Sequence, residues 1–272
     1  MRLVEIRRYP VKSLRGHSLG AGLVERIGLA GDRRWMIVDA TGRFLTQRQY
    51  PKLAQIDATL APNGVALDHA DHGALSVDFP GDDAPVESVV IWRDTVRARV
   101  ATAASDYLST FLDRPVRLVH LHDEAARPVN PDFGRAEDRV SFADGFPLLI
   151  ASTGSLDDLN WRLDRPIRMD RFRPSLVVEG APAWAEDTWR RVRIGALTFR
   201  IVKPCARCAI PTLDPLTGEA LEGNQPLRAL SAFHRAANGG IIFGQNAIPD
   251  DHGALRVGDA VEIVEIGPSN LL

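Results

Sequence analysis

Val192-Arg193-Ile194-Gly195-Ala196-Leu197-Thr198-Phe199-Arg200-Ile201-Val202 places two alternating runs around a glycine, and Lys203-Pro204-Cys205-Ala206-Arg207-Cys208 follows directly. Apolar residues alternating with polar ones on both sides of a glycine mark a β-hairpin with one buried face. The second strand, over 198–202, is expected to stop at Pro204, which has no amide hydrogen for a ladder. The same signature extends outward in both directions. Short strands are predicted over 3–9, 22–27, 35–38, 53–60, 74–79, 87–92, 96–100 and 116–121. Further strands are predicted over 148–151, 176–178 and 260–264. Helices are few. Ser105 is expected to cap one carrying Tyr107, Leu108, Phe111 and Leu112 on one face. Ser155 with Asp158 resembles a capping box ahead of Leu156, Leu159 and Leu163. Pro226 suits a first helical turn, with Leu227, Leu230 and Phe233 on one side. Many short strands and few helices predict a β-barrel with helical decoration. Polar residues and two prolines over 123–139 read as a long connection or a domain boundary.

The chain has 272 residues, a size for two domains or one large one. Its 45% apolar and 25% charged content is that of a folded globular protein rather than a disordered one. A formal net charge of -2 argues against a nucleic-acid footprint spread over the surface. No apolar run approaches the ~18 residues of a membrane span, and Met1-Arg2-Leu3-Val4-Glu5 leads straight into strand-like sequence. A cytoplasmic protein without nucleic-acid or membrane partners is therefore expected. Two cysteines exclude a disulfide scaffold and any four-cysteine metal or iron–sulfur site built from this chain alone.

Cys205-Ala206-Arg207-Cys208 admits several readings. Half a zinc site needs two more ligands, and His234 stands in no paired ligand spacing. A thioredoxin-like dithiol wants a helix N-terminus in a βαβ unit, against the all-β surroundings and Pro211. A single thiolate beside the positive charge of Arg207 would bind a soft metal. Alternatively, both are small buried fillers. Tyr9-Pro10-Val11-Lys12-Ser13 and Gly31-Asp32-Arg33-Arg34-Trp35 form a second set, able to hold an anionic phosphate or to serve as solvated turns. Arg171-Phe172-Arg173-Pro174-Ser175 places an arginine at a strand edge, where it can grip an oxyanion or stay at the surface. Asp144-Gly145-Phe146-Pro147 and Phe243-Gly244-Gln245-Asn246 are polar turns in apolar surroundings. No histidine pattern marks a hydrolytic metal site.

Taken in order, YPVKS, GDRRW, FPLLIAS, RFRPS, WAEDTW, PCARC, DPLTG, FGQN and RVGDAV resemble the MOSC family, the molybdenum-cofactor-binding domain of cofactor sulfurases. The resemblance is to the branch with an N-terminal extension that includes the mitochondrial amidoxime-reducing component and bacterial reductases of N-hydroxylated bases. It implies a mainly β fold: a discontinuous MOSC barrel over 1–34 and 123–270, and an inserted α/β module over 35–122. It also implies a molybdenum cofactor (Mo-molybdopterin), a pterin with a dithiolene and a phosphate, with Cys208 as the metal ligand. Lys12, Ser13, Arg33 and Arg173 fall on positions holding the phosphate and pterin. Asp144, Arg207 and Asn246 fall in the surrounding pocket, with Ser175 beside them, and as an acid Asp144 could assist proton delivery. Cys205 would be a supporting residue, and Arg34 competes with its neighbour Arg33 for one position. Descriptions of the family also mention pyridoxal phosphate binding.

The implied activity is reduction of N-hydroxylated small molecules. Electrons would come from a separate flavoprotein, ferredoxin or cytochrome, because the four-cysteine ferredoxin-like domain of bacterial relatives is not in this sequence. A non-catalytic cofactor carrier or storage protein, a sulfur-transfer protein with a cysteine persulfide, and a plain dithiol redox protein are the rivals. The chain departs from the family pattern at Ser175, where asparagine is common, and after the cysteine pair, where Ala209-Ile210-Pro211-Thr212 replaces a threonine-rich stretch.

Overall fold

The computed structural model describes residues 1–122 and 125–271, so the expected boundary at Asp123 lies outside the described residues. The hairpin around Gly195 forms as anticipated, Trp189–Ile194 against Leu197–Ala206, with Ile194 opposite Leu197. Its second strand runs past Pro204 instead of stopping there. The register slips between Pro204 and Ala206, so the proline sits at an irregularity where a missing donor is tolerated. The strand therefore delivers Cys205 to the end of the ladder.

This hairpin belongs to an eight-stranded sheet that curls around one core. Across the sheet the strands run His17–Leu19, Arg2–Arg8, Leu176–Glu179, Leu148–Ser152, Ile242–Pro249, Leu197–Ala206, Trp189–Ile194 and Val261–Ile266. Leu148–Ser152 and Leu176–Glu179 are parallel, joined across the helix Thr153–Trp161; the other pairs are antiparallel. Two strands from the N-terminus thus complete a sheet made otherwise from residues beyond 147. Leu3, Ile6, Ile150, Leu176, Phe199 and Ala247, each fully buried, fill its concave side.

Between these halves, residues 35–122 carry seven strands in two antiparallel sheets and one α-helix, Ser105–Leu112. Trp35–Asp39 lies at the edge of the larger of these sheets, against Val116–His120. Its apolar neighbours Val11, Leu14, Leu53, Leu108 and Phe111 form a second core.

Several local expectations give way to tertiary structure. The strand expected over 53–60 begins with a 3-10 turn, Pro51–Gln55, after Pro51, and only Asp57–Ala61 is extended. Ser105 is the first residue of its helix rather than its cap. Ser155 is also inside a helix; Ser152 is the cap, its hydroxyl accepting from the Gly154 amide at 3.2 Å. Ser155 instead donates to Glu186 Oε2 at 2.8 Å and accepts from the Trp184 amide at 2.8 Å, a buried use that outcompetes capping. The connection around 125–140 folds back on itself through Arg127–Pro128 and Arg139–Val140.

A candidate cofactor-binding cavity

The Lys12 segment is pinned from both sides. Val11 and Leu14 are fully buried, each contributing about 1.5–3 kcal/mol. That outweighs the ~1–2 kcal/mol cost of holding the intervening Ser13 at φ 67°, in the left-handed region. Backbone bonds then stitch this loop to its neighbours. The Lys12 amide donates to the Trp35 carbonyl at 2.8 Å and the Arg33 amide to the Tyr9 carbonyl at 2.8 Å. The Phe142 amide donates to the Arg33 carbonyl at 3.0 Å. Asp144 is thereby brought beside Lys12, although 132 residues separate them. Gly28 lets the Asp144 loop close down: at φ 111° its backbone lies so near Pro147 that a Cβ would stand 2.6 Å from the Pro147 carbonyl oxygen.

These segments enclose a cavity of about 110 Å³ whose wall includes Lys12, Ser13, Arg33, Asp144, Arg173, Arg207, Cys208 and Asn246. Cys205 lines it as well, and both cysteines are free. Ser175 does not reach the wall. It is fully buried behind it, its hydroxyl accepting from the Leu149 amide at 3.2 Å. Of the adjacent arginines, Arg33 faces the cavity while Arg34 pairs with Glu25 at 2.5 Å.

Three wall residues, Ser13, Arg33 and Arg173, have φ of 67°, 50° and 53°. Left-handed conformations are costly for non-glycine residues and gather at ligand clamps. Ser13 and Arg33 come from the N-terminal segment, and Arg173 lies 140 residues beyond Arg33. The two arginines tie the segments together: Arg33 Nη2 donates to the Arg173 carbonyl at 3.3 Å, and Arg173 Nη1 to the Leu14 carbonyl at 2.8 Å. Arg207 Nη2 holds the Phe172 carbonyl at 2.7 Å.

The charges are unevenly compensated. Arg33 pairs with the buried Asp32 at 2.5 Å. Lys12 donates to Asp144 Oδ1 at 2.5 Å and to the Phe142 carbonyl at 2.8 Å. The packed surroundings push the Asp144 carboxyl up, although its side chain is exposed, but the charge and hydrogen bond of Lys12, with Arg33 and Arg48, hold it well below the usual carboxylate range. Asp144 is therefore ionised at neutral pH, and the transferable proton of this pair sits on Lys12 Nζ. That differs from the sequence expectation of Asp144 as the acid. Burial pushes Arg173 down to about 10, opposed by Tyr9 and reinforced by the like charge of Arg33, and no carboxylate pairs with it among the described residues. It remains a cation over the Tyr9 ring, 4.1 Å from its centroid. Arg207 donates to Cys205 Sγ at 2.9 Å, so its charge serves the first cysteine rather than Cys208, and its Nε has no partner among the described residues. No group of three or more His, Cys, Asp or Glu able to hold a metal occurs among the described residues.

A second polar cluster escaped the sequence reading. His234 Nδ1 lies 2.9 Å from the Ile242 carbonyl and Nε2 lies 2.8 Å from Asp187 Oδ2. Burial pushes the ring's pKa down, but the hydrogen bonds and charge of Asp187 and the Ile242 carbonyl raise it overall, which favours the doubly protonated ring. Gln245 Nε2 donates to Asp187 Oδ1 at 2.7 Å, and Glu186 lies alongside, all deeply buried. The quoted motif WAEDTW holds the two acids, but nothing local in it names His234 as their partner.

The curled sheet ends in a thiol-bearing, cation-walled cavity, and the comparisons give the chain a family. Residues 1–115 match the MOSC N-terminal beta barrel domain and residues 137–262 match the MOSC domain. Mitochondrial amidoxime-reducing component 1 of Xenopus laevis is 30% identical, the match covering 93% of this chain and 79% of that protein. The protein of the same name in Mus musculus is 32% identical over 94% of this chain and 80% of its own length. The Homo sapiens one is 30% identical over 94% and 81%. The chain belongs to the MOSC family. Among the described residues no helix is long and apolar enough to cross a membrane.

Proposed function

We propose that the chain is a molybdenum-cofactor-dependent reductase of N-hydroxylated compounds (amidoximes, hydroxylamines and N-hydroxylated bases), supplied with electrons by a separate redox protein. The observation that carries this reading is the convergence of three left-handed residues, Ser13, Arg33 and Arg173, with Cys208 on one cavity wall. The names of the relatives support the choice of reaction. The residues present suit such a cofactor. Among the described residues Arg173 lacks a carboxylate partner, as expected of a wall that receives an anion. A thiol beside them suits a soft metal.

When bound, the cofactor supplies the two-electron chemistry. Cys208 Sγ would be the protein's ligand to the metal. Lys12, Ser13, Arg33 and Arg173 would hold the phosphate and pterin, with Arg207 and Asn246 bordering them. Converting N–OH to N–H consumes two electrons and two protons and releases water, so the wall must also handle protons. The Lys12–Asp144 pair is the chain's contribution there: Asp144 orients the ammonium, and Lys12 Nζ carries the exchangeable hydrogen. In this view residues 1–34 and 123–270 form the barrel and 35–122 the insert.

Expression in a cofactor-making host tests the reading. About one molybdenum per chain is expected by elemental analysis, with loss in Cys208→Ser, and benzamidoxime should be reduced to benzamidine with an artificial electron donor. A loaded protein that turns over no N-hydroxylated compound would instead be a carrier.

A further inference from the structure

Beside the cofactor cavity lies a larger cleft of about 870 Å³, which meets it at Asp144, Gly145 and Phe146. The cleft is lined by Arg43, Arg48, Arg93, Arg127 and Lys203 against two carboxylates, Asp94 and Asp144. Five cations thus face two acids in a chain whose formal net charge is -2. Both acids are already engaged, Asp94 by Arg127 at 2.7 Å and Asp144 by Lys12 at 2.5 Å. Among the described residues no carboxylate pairs with Arg43, Arg48, Arg93 or Lys203.

The cleft also has two aromatic walls. Phe44 and Trp92, with ring centroids 5.1 Å apart, come from the 35–122 segment, and Arg48 stands 4.7 Å over Trp92. Phe133 and Phe146, 6.0 Å apart, come from the other half, and Lys203 stands 4.3 Å over Phe133. A concave site of this volume with aromatic sides and a few convergent charges fits a small molecule better than a flat protein surface does. Like charges crowded together repel, and an anion relieves that repulsion.

We propose that this cleft is the substrate's recognition site, and that it takes an N-hydroxylated compound with an aromatic body and an anionic group, a carboxylate or a phosphate. The proposal rests on the reductase reading for the chemistry of the head group. The aromatic body lies between the two walls, the anionic group meets the unpaired arginines, and the N-hydroxyl end passes Asp144 toward Cys208.

Three probes with one head group test it: neutral benzamidoxime, its 4-carboxylate and its 4-phosphate ester. Binding is measured by calorimetry on cofactor-loaded and cofactor-free protein, and turnover separately on the loaded form. Charge-assisted contacts predict that the anionic probes bind the loaded protein about tenfold more tightly or better. Their preference should shrink as salt is raised and largely vanish in an Arg48→Ala, Arg93→Ala double variant. The carboxylate and phosphate arms decide which anion the cleft prefers. Equal binding of all three probes overturns the proposal. So does anion binding confined to cofactor-free protein, which would make the cleft part of the cofactor's own seat. Tight anionic binding without reduction of any probe leaves this anion site standing and removes the reductase reading. Reduction of benzamidoxime with no charge preference does the reverse.

Discussion

Gln245 and Asn246 are neighbours on one strand, and their side chains serve two opposite kinds of polar cluster. Gln245 reaches Asp187 and through it His234, where the carboxylate takes up both an amide and the ring, and the ring has an acceptor at each end. Asn246 lines the cavity, where Arg173 lacks a carboxylate partner among the described residues and Arg207 keeps a free Nε. Strand alternation alone separates the two. Buried charges that are fully matched hold architecture together, whereas those left unmatched around a void mark a place for something else.

The largest effect is expected on the matched side. Asp187→Ala would strand the buried His234 ring and the Gln245 amide together, and should cost about 3–5 kcal/mol, read as a loss of roughly 10 °C in a thermal melt. An unchanged melt would break the comparison, because the closed cluster would then not be structural.

Next comes a pH effect. Burial pushes the Glu186 carboxyl up to about 7, against its hydrogen bond from Ser155. A carboxyl raised in the folded state contributes stability present below the unfolded value near 4.5, lost as pH rises toward and through 7. His234 acts in the same sense. Burial pushes it down, but the hydrogen bond and charge of Asp187 raise it overall, so its contribution is full below about 6.5 and fades at higher pH. Stability of the parent should therefore decline from about pH 5 to pH 8. Glu186→Gln should flatten that decline and be about 2–3 kcal/mol more stable at pH 8. Parallel curves for the two proteins would refute the assignment.

On the unmatched side, Arg173→Met should leave the melt of cofactor-free protein within about 1 kcal/mol. Molybdenum retained through dialysis should meanwhile fall about tenfold, equivalent to ~1.4 kcal/mol. Destabilisation without loss of metal would reverse its role. The smallest change is Ser175→Ala, which removes an acceptor from the Leu149 amide. About 1 kcal/mol of stability should be lost with metal content unaltered, sharpening the line between the wall and what stands behind it.

The strands were legible wherever alternation met a glycine, as around Gly195, because periodicity and turn chemistry are local. Gly64–His69 was not foreseen: its short Gly-Val-Ala-Leu-Asp-His run carries only two branched aliphatic residues, and it pairs with strands on both sides that offer ladders. The capping role given to Ser155 failed for the same reason, since a distant carboxylate claimed the hydroxyl. Lys12, Arg33, Arg173 and Cys208 were legible only as a series of short motifs kept in order. No pattern in the chain announces that Ser13, Arg33 and Arg173 turn left-handed, and none ties His234 to Asp187 across 47 residues.

Those three left-handed turns also set a timetable. An unfolded chain visits such angles rarely, so their cost falls due while the polypeptide folds, not when a visitor arrives. A cradle finished in advance captures its guest without rearranging, and how long the guest stays depends on the rupture of contacts alone. Replacing Ser13 by glycine would ease the bend yet leave the loop slack, postponing that expense until the moment of capture.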